Sequence, residues 1–362
     1  MKNIILFYPS FERGGVKRNF INFLRILKKF KLKTFIITDG KIEKKYLNKN
    51  TEIKLIKKNN LFKFFFYKVF SSLYSVLTLI SLIFKIKKKN LIVYSFQSSF
   101  FPSIICFFLN VKMYIRVSED PIGATIYADE RIFSSLVFLS KIITYNFSSR
   151  IIVNSELMKK NVGSFIINKS KVTLIHNPSV NKILNYKDKN FSGKKNYFLN
   201  VGRLCKQKNQ INLIKAFYKF NKSRNDYKLL ICGDGPYKNK LKGICKELGI
   251  LKRVKFYGWV KNTKKIYKKS KFFILTSLYE GLSNSLIDAL NHGLVCCSTD
   301  VSGSKDILSD DRLIIKKNNT EEIYKKMLYL DKNYNKLKKN KKINLEKFLI
   351  SKAVDSYKKI LI

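Results

Sequence analysis

Short apolar runs of four to six residues alternate along the chain with longer stretches whose apolar residues recur every three or four positions. The short runs read as buried strands and the longer stretches as helices. Strands are expected at 3–8, 33–37, 91–95, 112–117, 150–153 and 172–176, and again at 197–201, 227–232, 254–257, 271–276 and 295–299. Helix-length segments separate them, for example 17–29, 133–147 and 210–222. Such alternation predicts an α/β protein with parallel sheets covered on both faces. The series breaks once. Asn177-Pro178 ends a strand, and the polar, basic stretch that follows has no clear period. The expected organisation is therefore an N-terminal Rossmann-like domain over 1–180, a linker over 181–195 and a second Rossmann-like domain over 196–342. Leu345, Phe348, Leu349 and Ala353 have helical spacing, so 343–362 should form a terminal helix returning to the N-terminal domain. Doubly wound domains bind ligands beyond the carboxyl ends of their strands, and two of them facing each other would leave a cleft.

Composition narrows the class. Hydrophobic residues make up 46% of 362 residues, enough for sizeable cores and too many for a disordered polycation. Seventy-three Lys and Arg against 24 Asp and Glu leave a formal charge of +49. An anionic membrane, nucleic acid or AT-rich codon usage would each account for that excess. No familiar nucleic-acid-binding motif is present, so no nucleic-acid partner is expected. Six cysteines include no C-x-x-C pair, and with only His176 and His292 no zinc site suggests itself. Cys232 and Cys296 lie in strand-like runs and read as reduced core thiols of a cytoplasmic protein. No signal peptide is visible. The most apolar stretch, 61–86, holds 16 uncharged residues between Lys68 and Lys85, against about 20 for a membrane-spanning helix. It reads as a buried or interfacial helix.

Four loops carry candidate chemistry. Gly14-Gly15 follows the first strand and opens a helix, as either a tight turn or a backbone approach to an anion. Gly202-Arg203 to Lys208-Asn209 follows the first strand of the second half; a guanidinium and an ammonium suit a diphosphate. Gly233-Asp234-Gly235-Pro236 is a strand-ending turn in which Gly233 would let a ligand near the backbone. The run from Ser277 to Leu290 places Glu280 in a loop before a helix whose buried side is Leu286, Ile287, Ala289 and Leu290. Glu280 and Asp288 could accept hydrogen bonds from different hydroxyls of one polyol, with free helix-start amides between them for a phosphate. Without a ligand, the same residues are a dipole-favoured acid and a solvated Asp.

In this order and register the series resembles the glycosyltransferases of family 4. The likeness includes the Gly-Gly loop, Ser118-Glu119-Asp120-Pro121, Ile151-Ile152-Val153-Asn154-Ser155 and Leu174-Ile175-His176-Asn177-Pro178. It continues through the Gly202, Gly233 and Glu280 loops, Tyr257-Gly258-Trp259-Val260, and Ser298-Thr299-Asp300 with Gly303. The resemblance implies the GT-B fold, two Rossmann-like domains across a cleft, and a retaining glycosyltransferase; no Asp-x-Asp occurs in the sequence to hold a metal, and Arg203, Lys208 and a helix N-terminus can supply the charge instead, so the reaction is expected to be metal-independent. It implies no cofactor beyond a nucleotide-sugar donor, most commonly a UDP-sugar. The acceptor would be a glycan or lipid-linked sugar in lipopolysaccharide or capsule synthesis, with the protein cytoplasmic or peripheral on the inner face of the membrane.

By the same resemblance, Gly14, Gly15 and Gly233 approach the donor, and Arg203 and Lys208 hold its diphosphate. Glu280 contacts the donor sugar, and Leu282 and Ser283 offer amides to the phosphate. Asp288 takes the place of a second Glu at the ribose and is one methylene shorter. Ser285 stands where the family commonly has Pro. The family's acceptor-side His is absent from Arg116–Asp120, leaving Glu119 as the candidate base. His176 and His292 read as structural. Two other classes remain open on the residues alone: a non-catalytic basic membrane- or nucleic-acid-binding protein, and a nucleotide-sugar epimerase on a similar fold.

Overall fold

The computed structural model describes residues 2–10, 14–55, 66–97, 99–128, 131–184, 193–339 and 345–362. They fall into two compact units, Met1–Pro178 with Ile350–Ile362, and Ser179–Leu349.

The first unit runs β1 (Asn3–Phe7), α1 (Gly15–Leu27), β2 (Lys33–Thr38), β3 (Thr51–Leu55), α2 (Phe66–Lys85), β4 (Leu91–Ser95), α3 (Phe100–Phe108) and β5 (Lys112–Arg116). It continues with α4 (Pro121–Ile126), α5 (Arg131–Phe147), β6 (Arg150–Val153), α6 (Glu156–Gly163) and β7 (Val172–Leu174). The strands form a seven-stranded parallel sheet in the order β3-β2-β1-β4-β5-β6-β7.

The second unit runs β8 (Lys195–Val201), α7 (Gln210–Ser223), β9 (Lys228–Cys232), α8 (Lys238–Glu247), β10 (Val254–Gly258), α9 (Lys264–Lys269) and β11 (Ser270–Leu275). Then follow α10 (Asn284–Asn291), β12 (Val295–Thr299), α11 (Ser304–Ile307), β13 (Ile314–Ile315), α12 (Thr320–Lys332) and α13 (Tyr334–Lys339). Its six parallel strands are ordered β10-β9-β8-β11-β12-β13. The last helix, α14 (Ile350–Leu361), belongs to the first unit.

Eleven of these strands lie where the apolar runs place them. The two that do not are β3 and β13, both at sheet edges. β3 is half exposed and carries Glu52 and Lys54, so it has no continuous apolar run, and β13 has two residues.

Side-chain alternation divides the apolar residues of β1 between two cores. Ile4 and Leu6 face α1 and α14, while Ile5 and Phe7 face α2 and α3. In α14, Ala353, Tyr357 and Leu361 recur every fourth residue on the buried side. The Tyr357 ring meets Phe23 at 4.7 Å, and its hydroxyl lies 3.1 Å from that of Tyr94 and accepts from Arg116 Nη1 at 2.7 Å. Arg116 Nη2 also donates to Ile175 O and Asn177 Oδ1, so this buried guanidinium ties α14 to the ends of β5 and β7. In the second unit, aromatic packing of Phe198, Phe220, Tyr227 and Phe272 centres the core on β8 and β11. Each such fully buried side chain contributes about 1.5–3 kcal/mol.

All six cysteines are free, and burial pushes the thiols of Cys106, Cys232, Cys245 and Cys297 up to about 12. No described helix is long and apolar enough to cross a membrane.

Candidate active site

Sheet order locates the site in the second unit. From β8 the chain moves outward through β9 and β10, then returns to the other side of β8 with β11 and moves outward again. The loops after β8 and β11 therefore lie at the switch point of the sheet, beyond the carboxyl ends of neighbouring strands, where open α/β sheets bind ligands.

The two loops are stitched together. Leu278 N donates to Gln207 O at 2.8 Å, Gln207 Nε2 to Tyr279 O at 3.0 Å, and Thr276 Oγ1 to Lys208 O at 2.9 Å. These bonds bring Lys208 and Glu280 into an ion pair through Oε1. The same oxygen accepts from Ser277 Oγ at 2.7 Å. Glu280 is only 8% exposed and is fixed from two sides. Thr299 Oγ1 donates to Ser277 O at 2.6 Å, extending the polar network to β12. Ser277, Thr276 and Gln207 are site-building residues that sequence reasoning assigns no role. The signal available was a Thr-Ser pair closing a strand three residues before an acid.

Arg203 is exposed, and its guanidinium has no partner among the described residues. Its own carbonyl accepts from Gln210 Nε2 at 3.0 Å, which holds the loop against the start of α7.

At Gly233 two backbones approach closely. A Cβ there would stand 1.8 Å from Gly202 O, and one on Gly235 would stand 2.4 Å from Leu204 O. Both glycines have positive φ, at 150° and 157°. The space a side chain would need at Gly233 is taken by the neighbouring loop's backbone. The glycine therefore shapes the site by letting the β8 and β9 loops pack.

Leu282 and Ser283 lead into α10. Ser283 Oγ caps it, accepting from Leu286 N at 3.4 Å, and Leu286, Ile287, Ala289 and Leu290 are its buried side. A Cβ on Gly303, whose φ is 80°, would meet Leu282 Cδ1 at 2.6 Å, so the loop after β12 braces the helix start. Asp288 lies one turn into α10, part-exposed. His292 Nδ1 lies 2.7 Å from Asp288 O, its ring stacks on Tyr267 at 5.2 Å, and burial lowers its pKa below the usual value. His176 Nδ1 lies 2.9 Å from Asn154 O. Each imidazole faces a backbone carbonyl across hydrogen-bonding distance.

In the first unit, Gly14 has a φ of 145° and stands at the start of α1 beyond the carboxyl end of β1, and among the described residues no atom lies within 4 Å of where its Cβ would be. Gly15 is exposed beside it. Glu119 is also exposed and pairs with Lys141 Nζ at 3.5 Å. Its neighbour Asp120 caps α4 and accepts from Asn161 Nδ2. Among the described residues no group of His, Cys, Asp and Glu is arranged to hold a metal.

Residues 182–346 match the family of glycosyl transferases group 1. An uncharacterized glycosyltransferase of Methanocaldococcus jannaschii is 32% identical over 213 residues, 55% of this chain and 51% of that protein. A Campylobacter jejuni N-acetylgalactosamine-N,N'-diacetylbacillosaminyl-diphospho-undecaprenol 4-alpha-N-acetylgalactosaminyltransferase is 34% identical over 153 residues, 41% of each chain. The chain thus spans about half the length of these curated relatives or less. Among solved structures, Anabaena HepE in complex with UDP and glucose superposes with a TM-score of 0.78 at 13% identity, covering 100% of this chain and 99% of that one. The chain therefore has the GT-B fold, and its residues 182–346, which hold the Lys208–Glu280 pair, are similar to the glycosyl transferases of group 1.

Proposed function

We propose that this protein is a retaining, metal-independent glycosyltransferase of family 4. It would move a sugar from a UDP-sugar to a lipid-linked or growing glycan in cell-surface polysaccharide synthesis, at the cytoplasmic face of a membrane. The observation that carries this reading is the Lys208–Glu280 pair at the sheet's switch point, beside Arg203 and the capped start of α10. UDP in HepE and the undecaprenol-linked acceptor named for the Campylobacter relative support the donor and acceptor classes.

In the reaction, the bond between the anomeric carbon and the outer phosphate oxygen breaks, and the nucleoside diphosphate leaves with the electron pair. The acceptor oxygen forms the new bond and gives up its proton, to Glu119 in this proposal. The departing charge needs preorganised cations and dipoles. Arg203 and Lys208 supply the cations, and the amides at Leu282 and Ser283 the dipoles. Charge-assisted contacts of this kind, at about 1.5–3 kcal/mol each, sum to several kcal/mol. An ammonium has three N–H donors, so Lys208 can hold Glu280 and a phosphate oxygen together. Glu280, oriented by Lys208 and Ser277, would then accept from hydroxyls of the donor sugar, and Asp288 from the ribose. Gly14 and Gly15 offer a second anion-compatible backbone in the first unit.

Incubation with a panel of nucleotide-sugars and undecaprenyl-diphosphate-linked acceptors, read by mass spectrometry, tests the reading. Transfer to an acceptor is expected. Isomerised donor without transfer would make the protein an epimerase, and no reaction with any donor would make it a binding protein.

A further inference from the structure

The loop that carries Arg203 is pinned to the β9 loop through the residues on either side of it. Gly202 N donates to Cys232 O, Leu204 N to Asp234 O and Tyr237 N to Leu204 O, each at 3.0 Å. Arg203 itself receives one hydrogen bond among the described residues, from Gln210 Nε2 to its carbonyl. Gln210 is the first residue of α7 and is 1% exposed; Asn209, with a φ of 50°, turns the chain into that helix. The same Nε2 donates to Asn200 Oδ1 at 3.4 Å. Asn200, in β8, is 2% exposed and donates from Nδ2 to Ile274 O of β11 at 2.8 Å. The paired register of β8 and β11 ends at Leu199 and Phe273, so the Asn200 side chain carries the link between the two strands one residue further.

A path of hydrogen bonds thus runs from β11 through Asn200 and Gln210 to Arg203. The same strand leads to the acid of the site: just beyond Ile274, Thr276 Oγ1 donates to Lys208 O and Ser277 Oγ to Glu280. Guanidinium and carboxylate are thereby both referenced to β11. Stability alone does not account for the two amides. Burying an amide costs free energy that only complete hydrogen bonding offsets, and the buried Gln210 Oε1 has no partner. Adjacent core positions, Leu199 of β8 and Leu213 and Ile214 of α7, are apolar. Apolar side chains at 200 and 210 would leave no orphaned acceptor. What the amides add is direction, because a buried polar link favours one geometry. Direction matters at Arg203, whose exposed guanidinium meets no partner among the described residues, so that its place follows its backbone. A shift of about 1 Å in such a group can cost about a hundredfold in rate.

We infer that Gln210, backed by Asn200, is a positioning residue of the donor site: it sets where the Arg203 guanidinium stands for the diphosphate and acts on the donor only through Arg203. This rests on the proposed assignment of Arg203 to the diphosphate and deepens it by naming the buried amides that hold the guanidinium in place.

The test is a double-mutant cycle on UDP affinity, measured by calorimetry on the full chain. Gln210→Met keeps the length of the side chain and removes its donors. It should weaken UDP binding about three- to tenfold in the wild-type background, and change it by less than about twofold where Arg203 is already alanine. Asn200→Leu, at the other end of the path, should give a smaller loss with the same dependence on Arg203, and it carries the test if the Gln210 variant does not fold. Phe220→Leu, fully buried on the same helix, controls for lost stability: it should lower the melting temperature and leave UDP affinity unchanged. In turnover, Gln210→Met should raise KM for the nucleotide-sugar and not for the acceptor. Equal losses with and without Arg203 would overturn the inference and leave the transferase reading standing. So would wild-type affinity in both amide variants, or a loss in Phe220→Leu as large as theirs. Wild-type protein that binds no UDP would overturn the proposed function, and the inference with it.

Discussion

Lys208 and Glu280, 72 residues apart and on loops from different strands, form an ion pair in which the carboxylate is also held by Ser277. Both side chains are largely buried, at 18% and 10% exposure, so neither is screened as a surface pair would be. Removing the ammonium strands a carboxylate that keeps only a hydroxyl. Lys208→Ala should therefore lower stability by about 1–3 kcal/mol and cut kcat/KM by more than about tenfold. Adding Glu280→Gln should recover part of the melting temperature and none of the activity. Recovery of activity in the double variant would show that Lys208 serves Glu280 alone.

Arg203 offers the opposite case. Its guanidinium is exposed and meets no partner among the described residues, so truncation costs the fold almost nothing. Arg203→Ala should melt within about 0.5 kcal/mol of wild type yet bind UDP roughly ten- to a hundredfold more weakly by calorimetry. Unchanged UDP affinity would remove Arg203 from the diphosphate site.

A methyl group on Gly233 would collide with Gly202 O, a backbone atom that cannot swing away. Gly233→Ala should cost about 3 kcal/mol or more, read as a lower urea midpoint. Gly14→Ala meets no atom among the described residues and should change stability only through its φ of 145°. Equal effects at the two positions would contradict the packing described here.

Burial lowers the pKa of His292 below its ordinary value of 6.5. The unfolded chain then takes up the proton first as pH falls. Stability should decline on acidification through 6.5 and level off below the folded-state pKa. His292→Phe keeps the ring against Tyr267 and should flatten that part of the profile, measured by urea unfolding at stepped pH. A wild-type slope that survives in the variant would place the titration elsewhere.

With Arg203, Lys208 and helix amides assigned to the leaving diphosphate, transfer should persist in EDTA. Loss of activity that Mg²⁺ or Mn²⁺ restores would give the charge-stabilising role to a metal.

Much of this architecture is written in one dimension. Strands buried on both faces are largely apolar, so the apolar stretches within β1, β8, β11 and β12 are legible as runs, and the glycines and caps beside them mark where the chain turns. The edge strands β3 and β13 escape because half their surface meets water or little chain is paired. Arg203, Lys208 and Glu280 were visible as residue types on loops after strands. Their relationship was not: only the order β9-β8-β11 puts two of those loops side by side. Gly233 shows the same limit, since nothing local reveals that the volume beside it belongs to Gly202. Ile132, Leu136 and Leu139 of α5 have the spacing of a core face, and only three-dimensional packing shows that they look outward. Periodicity along a chain specifies which residues share a face, whereas the neighbour that face meets, or its lack, depends on contacts between segments far apart in sequence.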